Sequence, residues 1–162
     1  MQINELARDE LLKEVESLSD EVLNQKPSTD QWSIKQILEH LFLMEIAIAN
    51  IIKEQLENGE VQTAKPKPIE ATVNRKYKVS APEFSVPTND FATLEELKEK
   101  LAMSRQELKT VVEKADQIDL ENKAYPHPAF GQMSLSQWIP FVGYHERRHI
   151  LQIKEVKESF GI

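Results

Sequence analysis

Apolar residues recur at helical spacing in four segments of the chain. The first segment covers roughly residues 3–25, where apolar side chains stand three to five residues apart. Each of the other segments opens with Ser or Thr followed three residues later by Gln or Glu. This capping-box pattern predicts helices near 34–57, 94–117 and 135–159. The three boxes pair Ser33 with Gln36, Thr93 with Glu96 and Ser134 with Gln137.

The connections between these helices differ in length. Residues 26–32 form a short loop, which predicts that the first two helices are antiparallel neighbours. Residues 58–92 contain four prolines and form a long irregular connection, long enough to cross the bundle and make the second and third helices parallel. A short strand is expected only near 76–80. We therefore predict an all-α fold, a four-helix bundle with a long irregular connection between helices two and three, as a single domain over residues 1–162.

Composition narrows the range of partners. A net charge of -7 argues against nucleic acid or an anionic membrane as a partner. No apolar run reaches the length of a membrane span, and the first residues are too acidic for a signal peptide, so we expect a cytoplasmic protein. We also expect its partner to be a small-molecule substrate. Tyr144 and Leu151 are outward apolar residues of the last helix, and a homodimer, if it forms, is expected through an outer helix face.

The four histidines are the main candidates for metal ligands, because the chain has no cysteine. His145 and His149 lie one turn apart on the apolar face of the last helix, so both rings can reach one ion. His40 lies on the flank of the inward stripe of the second helix and can point into the crevice between helices. Spacing alone leaves two interpretations open, a metal site or hydrogen-bonded core histidines.

Residues 145–149 read H-E-R-R-H and match the H-E-x-x-H signature of zinc peptidases. The peptidase classes with this signature take their third ligand from positions downstream of it. Here Gln152 and Glu155 occupy the positions that a metzincin fills with glycine and histidine, and the chain is too short beyond His149 for the other class. The sequence therefore does not predict a peptidase, and any third ligand must lie upstream.

Three charged residues face the core by the same helical count. These are Glu45, Arg105 and Glu146. Because isolated buried charges are costly, we predict that Arg105 pairs with one or both acids. An alternative interpretation makes Glu146 a catalytic proton acceptor near the metal. Pro140 is expected to kink the last helix ahead of His145.

Two sequence motifs resemble those of the DinB-like superfamily, which includes the YfiT-like metalloenzymes. The first is W-S-I followed by I-L-E-H-L at residues 32–41. The second runs from H-P-A-F-G at residue 127 through Trp138 to Y-H-E-R-R-H and Gln152. The resemblance implies a four-helix bundle in which His40, His145 and His149 bind a divalent transition metal, nickel or zinc. His127 matches a position that is not a ligand.

Such a site, with three neutral imidazoles, has open positions for water or substrate. Two reaction classes follow: hydrolysis by metal-activated water, and S-transfer of a low-molecular-weight thiol held as its thiolate. In the second class the thiol must be a cofactor, because the chain has no cysteine. A third hypothesis is a non-catalytic, stress-associated interaction protein that binds metal without turnover.

Overall fold

The computed structural model describes all 162 residues and confirms the predicted four-helix bundle. Two short helices, two 3₁₀ turns and one β-hairpin accompany the four long helices. The helices are α1 (Gln2–Val15), α2 (Asp20–Asn24), α3 (Ile34–Asn58), α4 (Leu94–Lys114), α5 (Gln117–Asn122) and α6 (Leu135–Phe160). The 3₁₀ turns are Ile69–Val73 and Glu83–Ser85, and the strands are β1 (Ala124–His127) and β2 (Gly131–Ser134). No helix combines the length and apolar character that crossing a membrane requires.

The bundle consists of two parallel helix pairs. Lys100 of α4 lies over the ring of Phe42, and Ser104 one turn later donates to Glu45, so α3 and α4 run in the same direction, as predicted. The other close pair is α1 with α6. The prediction that the first two long helices are direct neighbours is therefore wrong: α1 packs on α6 and reaches α3 through side chains at the bundle centre.

Two predicted helices end earlier than expected because polar caps interrupt them. The predicted helix over 3–25 is divided into α1 and α2, and the Oγ of Ser19 accepts from the backbone N–H of Val22 at the start of α2. The predicted helix over 94–117 ends at Lys114. Asp116 then caps α5 through the N–H of Ile118.

The only sheet lies before α6 and not near residues 76–80. β1 and β2 pair antiparallel, with Ala124 opposite Ser134 and His127 opposite Gly131. Gly131 has a φ of 70°, a left-handed conformation that glycine adopts without strain. The predicted third capping box is absent, because the side chain of Gln137 bonds the backbone of Lys67 instead.

α6 remains helical across Pro140, and α1 packs unusually close to it there. The side chain of Asn4 donates to the carbonyl of Ile139 over 2.9 Å. A Cβ on Gly143 would come within 2.9 Å of the backbone carbon of Ile3. The missing side chain of Gly143 therefore lets the two backbones approach.

A polar layer divides the hydrophobic core into two clusters. On α3 this layer includes His40 and Glu45, which lie beside Leu41 of one cluster and Ile48 of the other, and on α6 it lies between Val142 and Ile150. Buried polar groups normally require partners, so this layer is where chemistry is expected. Its members include Arg8, His40, Glu45, Arg105, His145, Glu146 and His149.

Candidate metal centre

Three of the four histidines converge at the polar layer. The Nε2 atom of His145 lies 3.1 Å from that of His149 and 3.4 Å from that of His40. One ligand atom from each ring lies within 4.8 Å of the others. The structure therefore brings together the three histidines singled out from the sequence, and their role as metal ligands remains a prediction.

Hydrogen bonds at Nδ1 orient two of these rings. Nδ1–H of His40 donates to the carbonyl oxygen of Ser85 over 2.8 Å. Nδ1–H of His149 donates to Oε1 of Gln152 over 2.7 Å. In the neutral rings the proton is then on Nδ1, and Nε2 carries a free lone pair directed at the cluster.

Packing orients the third ring. The ring of His145 stacks on Phe141, with centroids 5.8 Å apart and 24° between the planes. Phe141 belongs to the same helix, one turn earlier, so α6 supplies both the ring and its support. The ring of His40 is likewise packed against Trp32, at 5.0 Å between centroids.

Burial keeps the cluster uncharged at neutral pH. It lowers the pKa of His40, and it lowers that of His149 to about 3. Burial, followed by the neighbouring His149 and His40, lowers the pKa of His145 well below its ordinary value. At least two unprotonated ring nitrogens thus face one another, and the cluster has too few N–H groups to satisfy them by hydrogen bonds. A cation is the partner that suits this donor set.

The long connection between α3 and α4 supplies the acceptor for His40. Ser85 is fully buried in the second 3₁₀ turn. The chain just beyond it is tied to α3, where the N–H of Thr88 donates to Oε2 of Glu39 over 3.1 Å. Gln36 also donates to the carbonyl of Thr88. Ser85 was not predicted from the sequence, because any residue type supplies a backbone carbonyl.

The histidine cluster opens into a cleft of about 950 Å³ between α3, α6, the hairpin and the long connection. Arg148 holds one side of this cleft in place by donating to the backbone carbonyls of Thr72, Asn74 and Tyr77. The volume lies in the range of small-molecule sites. Aromatic and apolar residues dominate the wall near the cluster, among them Trp32, Tyr125, Phe130, Trp138 and Phe141.

The predicted pairing of Arg105 is confirmed with both acids. Nε of Arg105 donates to Glu45 over 2.6 Å, and Nη2 donates to Glu146 over 3.1 Å. A second guanidinium was not predicted from the sequence: Arg8 of α1 bonds the same two carboxylates over 2.7 and 2.8 Å. All four residues are at most 7% exposed, so two positive and two negative charges balance within the core.

Glu146 lies in this charge network and does not line the cleft. Burial raises its pKa, an effect that the guanidiniums of Arg8 and Arg105 oppose. Both of its carboxylate oxygens bond an arginine. These contacts favour the interpretation of a structural ion pair, and the catalytic role of Glu146 stays a prediction.

Solved structures that resemble this fold include two four-helix bundle proteins. The four-helix bundle protein TT2238 superposes with a TM-score of 0.65 at 20% identity, over 95% of this chain and 94% of that one. YfiT from Bacillus subtilis superposes with a TM-score of 0.64 at 18% identity, over 99% of this chain and 85% of that one. YfiT is described as a probable metal-dependent hydrolase with an unusual four-helix bundle topology. At these identities the similarity establishes the fold.

Sequence comparison gives the family. The protein YuaE of Bacillus subtilis (strain 168), itself uncharacterized, is 37% identical over 159 residues, which cover 98% of each chain. The model of the DinB superfamily matches residues 3–153, nearly the whole chain. The chain therefore belongs to the DinB superfamily.

Proposed function

We propose that this chain is a divalent-metal-dependent enzyme whose metal ligands are His40, His145 and His149. The observation that carries the proposal is the convergence of three Nε2 atoms, with two of the rings fixed through Nδ1. A histidine that ligates a metal through one nitrogen usually donates from the other to an oxygen, and both rings follow this rule. Core histidines without such a role would not need three ring nitrogens directed at one point.

The donor set suits a transition metal such as zinc or nickel. Three neutral imidazoles are borderline ligands that both ions accept, and cellular availability decides between such ions as much as affinity does. When bound, the metal supplies a Lewis acid that lowers the pKa of water or of a thiol and polarises a carbonyl group.

The rest of the cleft supports a small-molecule substrate. The cluster lines a cleft whose wall is mostly apolar, which suits the body of an organic molecule. The backbone contacts of Arg148 hold the long connection over this cleft. We propose that the enzyme works in the cytoplasm as a single domain.

Hydrolysis is the first reaction class that we propose. The description of the structural relative YfiT as a probable metal-dependent hydrolase supports it by analogy of fold. Under this proposal the neutral histidines hold the metal while the apolar wall binds the body of the substrate.

Transfer of a low-molecular-weight thiol is the second candidate. A cleft of about 950 Å³ has room for a thiol cofactor beside an acceptor, since ordinary ligand sites span about 300–1,000 Å³. The chain has no cysteine, so the nucleophilic sulfur would come entirely from the cofactor.

Activity panels separate these candidates. The metal-loaded parent, the chelator-treated parent and a His149→Ala variant are assayed against esters and amides, and then against electrophilic acceptors with added thiols. Metal-dependent turnover without thiol, lost in the variant, supports the hydrolase. Turnover that requires the thiol supports the transferase. If the metal-loaded parent shows no turnover in any panel, the enzyme proposal is contradicted. The remaining hypothesis is then a non-catalytic metal-binding protein.

A further inference from the structure

His127, the histidine outside the cluster, has its ring nitrogens arranged in the opposite sense. Its Nδ1 accepts from the backbone N–H groups of Ala129 and Phe130, over 3.0 and 3.2 Å. An acceptor nitrogen carries no proton, so the neutral ring of His127 has its hydrogen on Nε2. His40 and His149 instead carry theirs on Nδ1. His127 is therefore a hydrogen-bond donor, whereas the cluster offers lone pairs.

The Nε2–H group of His127 has no hydrogen-bond partner within the protein. His127 lines the cleft, and its Nε2 neither forms a hydrogen bond within the protein nor is shut away in the core. Burial lowers the pKa of His127 to about 4, so the ring is uncharged at neutral pH. His127 thus gives the cleft a neutral donor whose ring is fixed by the turn.

Aromatic rings surround this donor. The centroid of the His127 ring lies 4.9 Å from that of Phe130, 5.3 Å from that of Trp138 and 4.9 Å from that of Phe141. Phe141 also stacks on His145, so a single aromatic ring separates the donor from the histidine cluster. A molecule reaching from the cluster to His127 would lie along an aromatic wall.

We propose that His127 is a specificity-determining residue of the cleft, whose Nε2–H donates to a neutral acyl oxygen on a substrate with an apolar or aromatic body. This inference rests on the proposed function in so far as the cleft is the substrate site. A neutral donor in an apolar wall matches a ketone, ester or amide oxygen, because neither group must shed a counter-ion to bind. The body of the substrate packs against Trp138 and Phe141.

The competing explanation is that His127 only orders the turn that follows β1. Two substitutions separate the roles, because the Asn side chain can put an oxygen near the place of Nδ1 and the Gln side chain can put an N–H near the place of Nε2. His127→Asn keeps the acceptor of the turn and loses the donor. His127→Gln keeps the donor and loses the turn acceptor.

The probes are acetophenone, which has an aromatic body and an acyl oxygen, and isopropylbenzene, which has a similar shape and no acceptor. Their dissociation constants are measured by NMR titration of metal-free and zinc-loaded protein. The affinity ratio of ketone to hydrocarbon is expected to fall about threefold to tenfold in His127→Asn, the usual effect of one hydrogen bond. It is expected to stay within about twofold of the parent ratio in His127→Gln.

Three results would overturn the proposal: an unchanged ratio in His127→Asn, a ratio lost in His127→Gln but kept in His127→Asn, or no binding of either probe. Because the ratio is also read on metal-free protein, failure of zinc to bind would contradict the proposed function without deciding this inference. A second readout needs no ligand. In protein labelled with ¹⁵N-histidine, His127 should show a protonated Nε2 and a bare Nδ1, and the reverse assignment would contradict the donor role.

Discussion

Nδ1 of His149 donates to the side-chain oxygen of Gln152, three residues further along α6, over 2.7 Å. This bond leaves Nε2 of His149 free, 3.1 Å from the Nε2 of His145. From its sequence position Gln152 is expected to be a polar flank of the histidine pair, with donation to a ligand or bound water as the alternative. The structure instead makes it the acceptor that fixes which nitrogen of His149 faces the cluster.

Removal of the acceptor at Gln152 is expected to weaken metal binding. In Gln152→Leu the ring of His149 loses the partner that orients it, and affinity for zinc should fall about tenfold, since such outer partners are typically worth 10–100-fold. Gln152→Glu keeps an oxygen at the same place and serves as the matched control. Competition titration with a chromophoric chelator measures both. Equal affinities in the two variants would contradict the orienting role.

Glu146→Gln tests whether Glu146 is structural or catalytic. The substitution leaves the guanidiniums of Arg8 and Arg105 short of one negative charge in the core, so the free energy of unfolding should fall by about 3 kcal/mol. Urea unfolding gives the value, and Glu158→Gln at an exposed position of α6 is the control.

A catalytic Glu146 would give a different pattern. Turnover of the metal-loaded enzyme would disappear while stability and metal content stayed close to those of the parent. A structural ion pair predicts instead that Glu146→Gln loses much of its stability, while the fraction that is still folded keeps its metal.

Gly143→Ala is expected to destabilise the pairing of α1 with α6. The added Cβ would lie 2.9 Å from the backbone carbon of Ile3, and backbone atoms cannot move aside as a side-chain end can. Overpacking of this kind costs about 1–3 kcal/mol. Without the close approach, alanine inside a helix would stabilise by up to about 1 kcal/mol. Thermal or urea unfolding of Gly143→Ala therefore tests the close approach of the two helices: a lower stability than that of the parent supports it, and a higher stability contradicts it.

The stability of the metal-free protein should decrease as the pH falls below about 6.5. Burial lowers the pKa of His127 to about 4 from its ordinary value of 6.5. Between these values the unfolded chain binds more protons than the folded one, so acid favours unfolding. His149, with a pKa lowered to about 3, acts in the same direction. The free energy of unfolding, measured with urea between about pH 7.5 and pH 5, should depend less on pH in His127→Asn than in the parent. The difference in slope should correspond to less than one proton taken up per molecule on unfolding. An identical slope in parent and variant would contradict the lowered pKa.

Features that depend on residues close together in the sequence, such as helix starts and the face on which a side chain lies, could be predicted from the sequence. The boxes at Ser33 and Thr93 form as expected, and the helices that follow them begin at the predicted residues. The i, i+4 spacing of His145 and His149 places both rings on one face of α6, which the sequence alone could indicate. Arg8 was also detectable, since it shares the buried stripe of α1 with Leu11 and Val15.

Contacts that depend on the path of the chain could not be predicted in this way. The carbonyl of Ser85 accepts from His40 although the two residues are 45 positions apart in the sequence. A backbone acceptor cannot be predicted from a pattern of side chains. The failed capping box at Ser134 has a similar cause, because a distant segment, at Lys67, takes the side chain of Gln137. The tautomer of His127 follows from a turn whose conformation appears only in the folded chain.

The metal content of the purified, untagged protein tests the proposed three-histidine metal site most directly. Elemental analysis is made on the parent, on His40→Ala and His149→Ala, and on His127→Ala, which removes a histidine of the same cleft that lies outside the cluster. We predict about one equivalent of a transition metal in the parent and in His127→Ala, and almost none in the two cluster variants, all folded by circular dichroism. A parent that takes up no metal after reloading and dialysis would contradict the metal site, as would cluster variants that keep their metal.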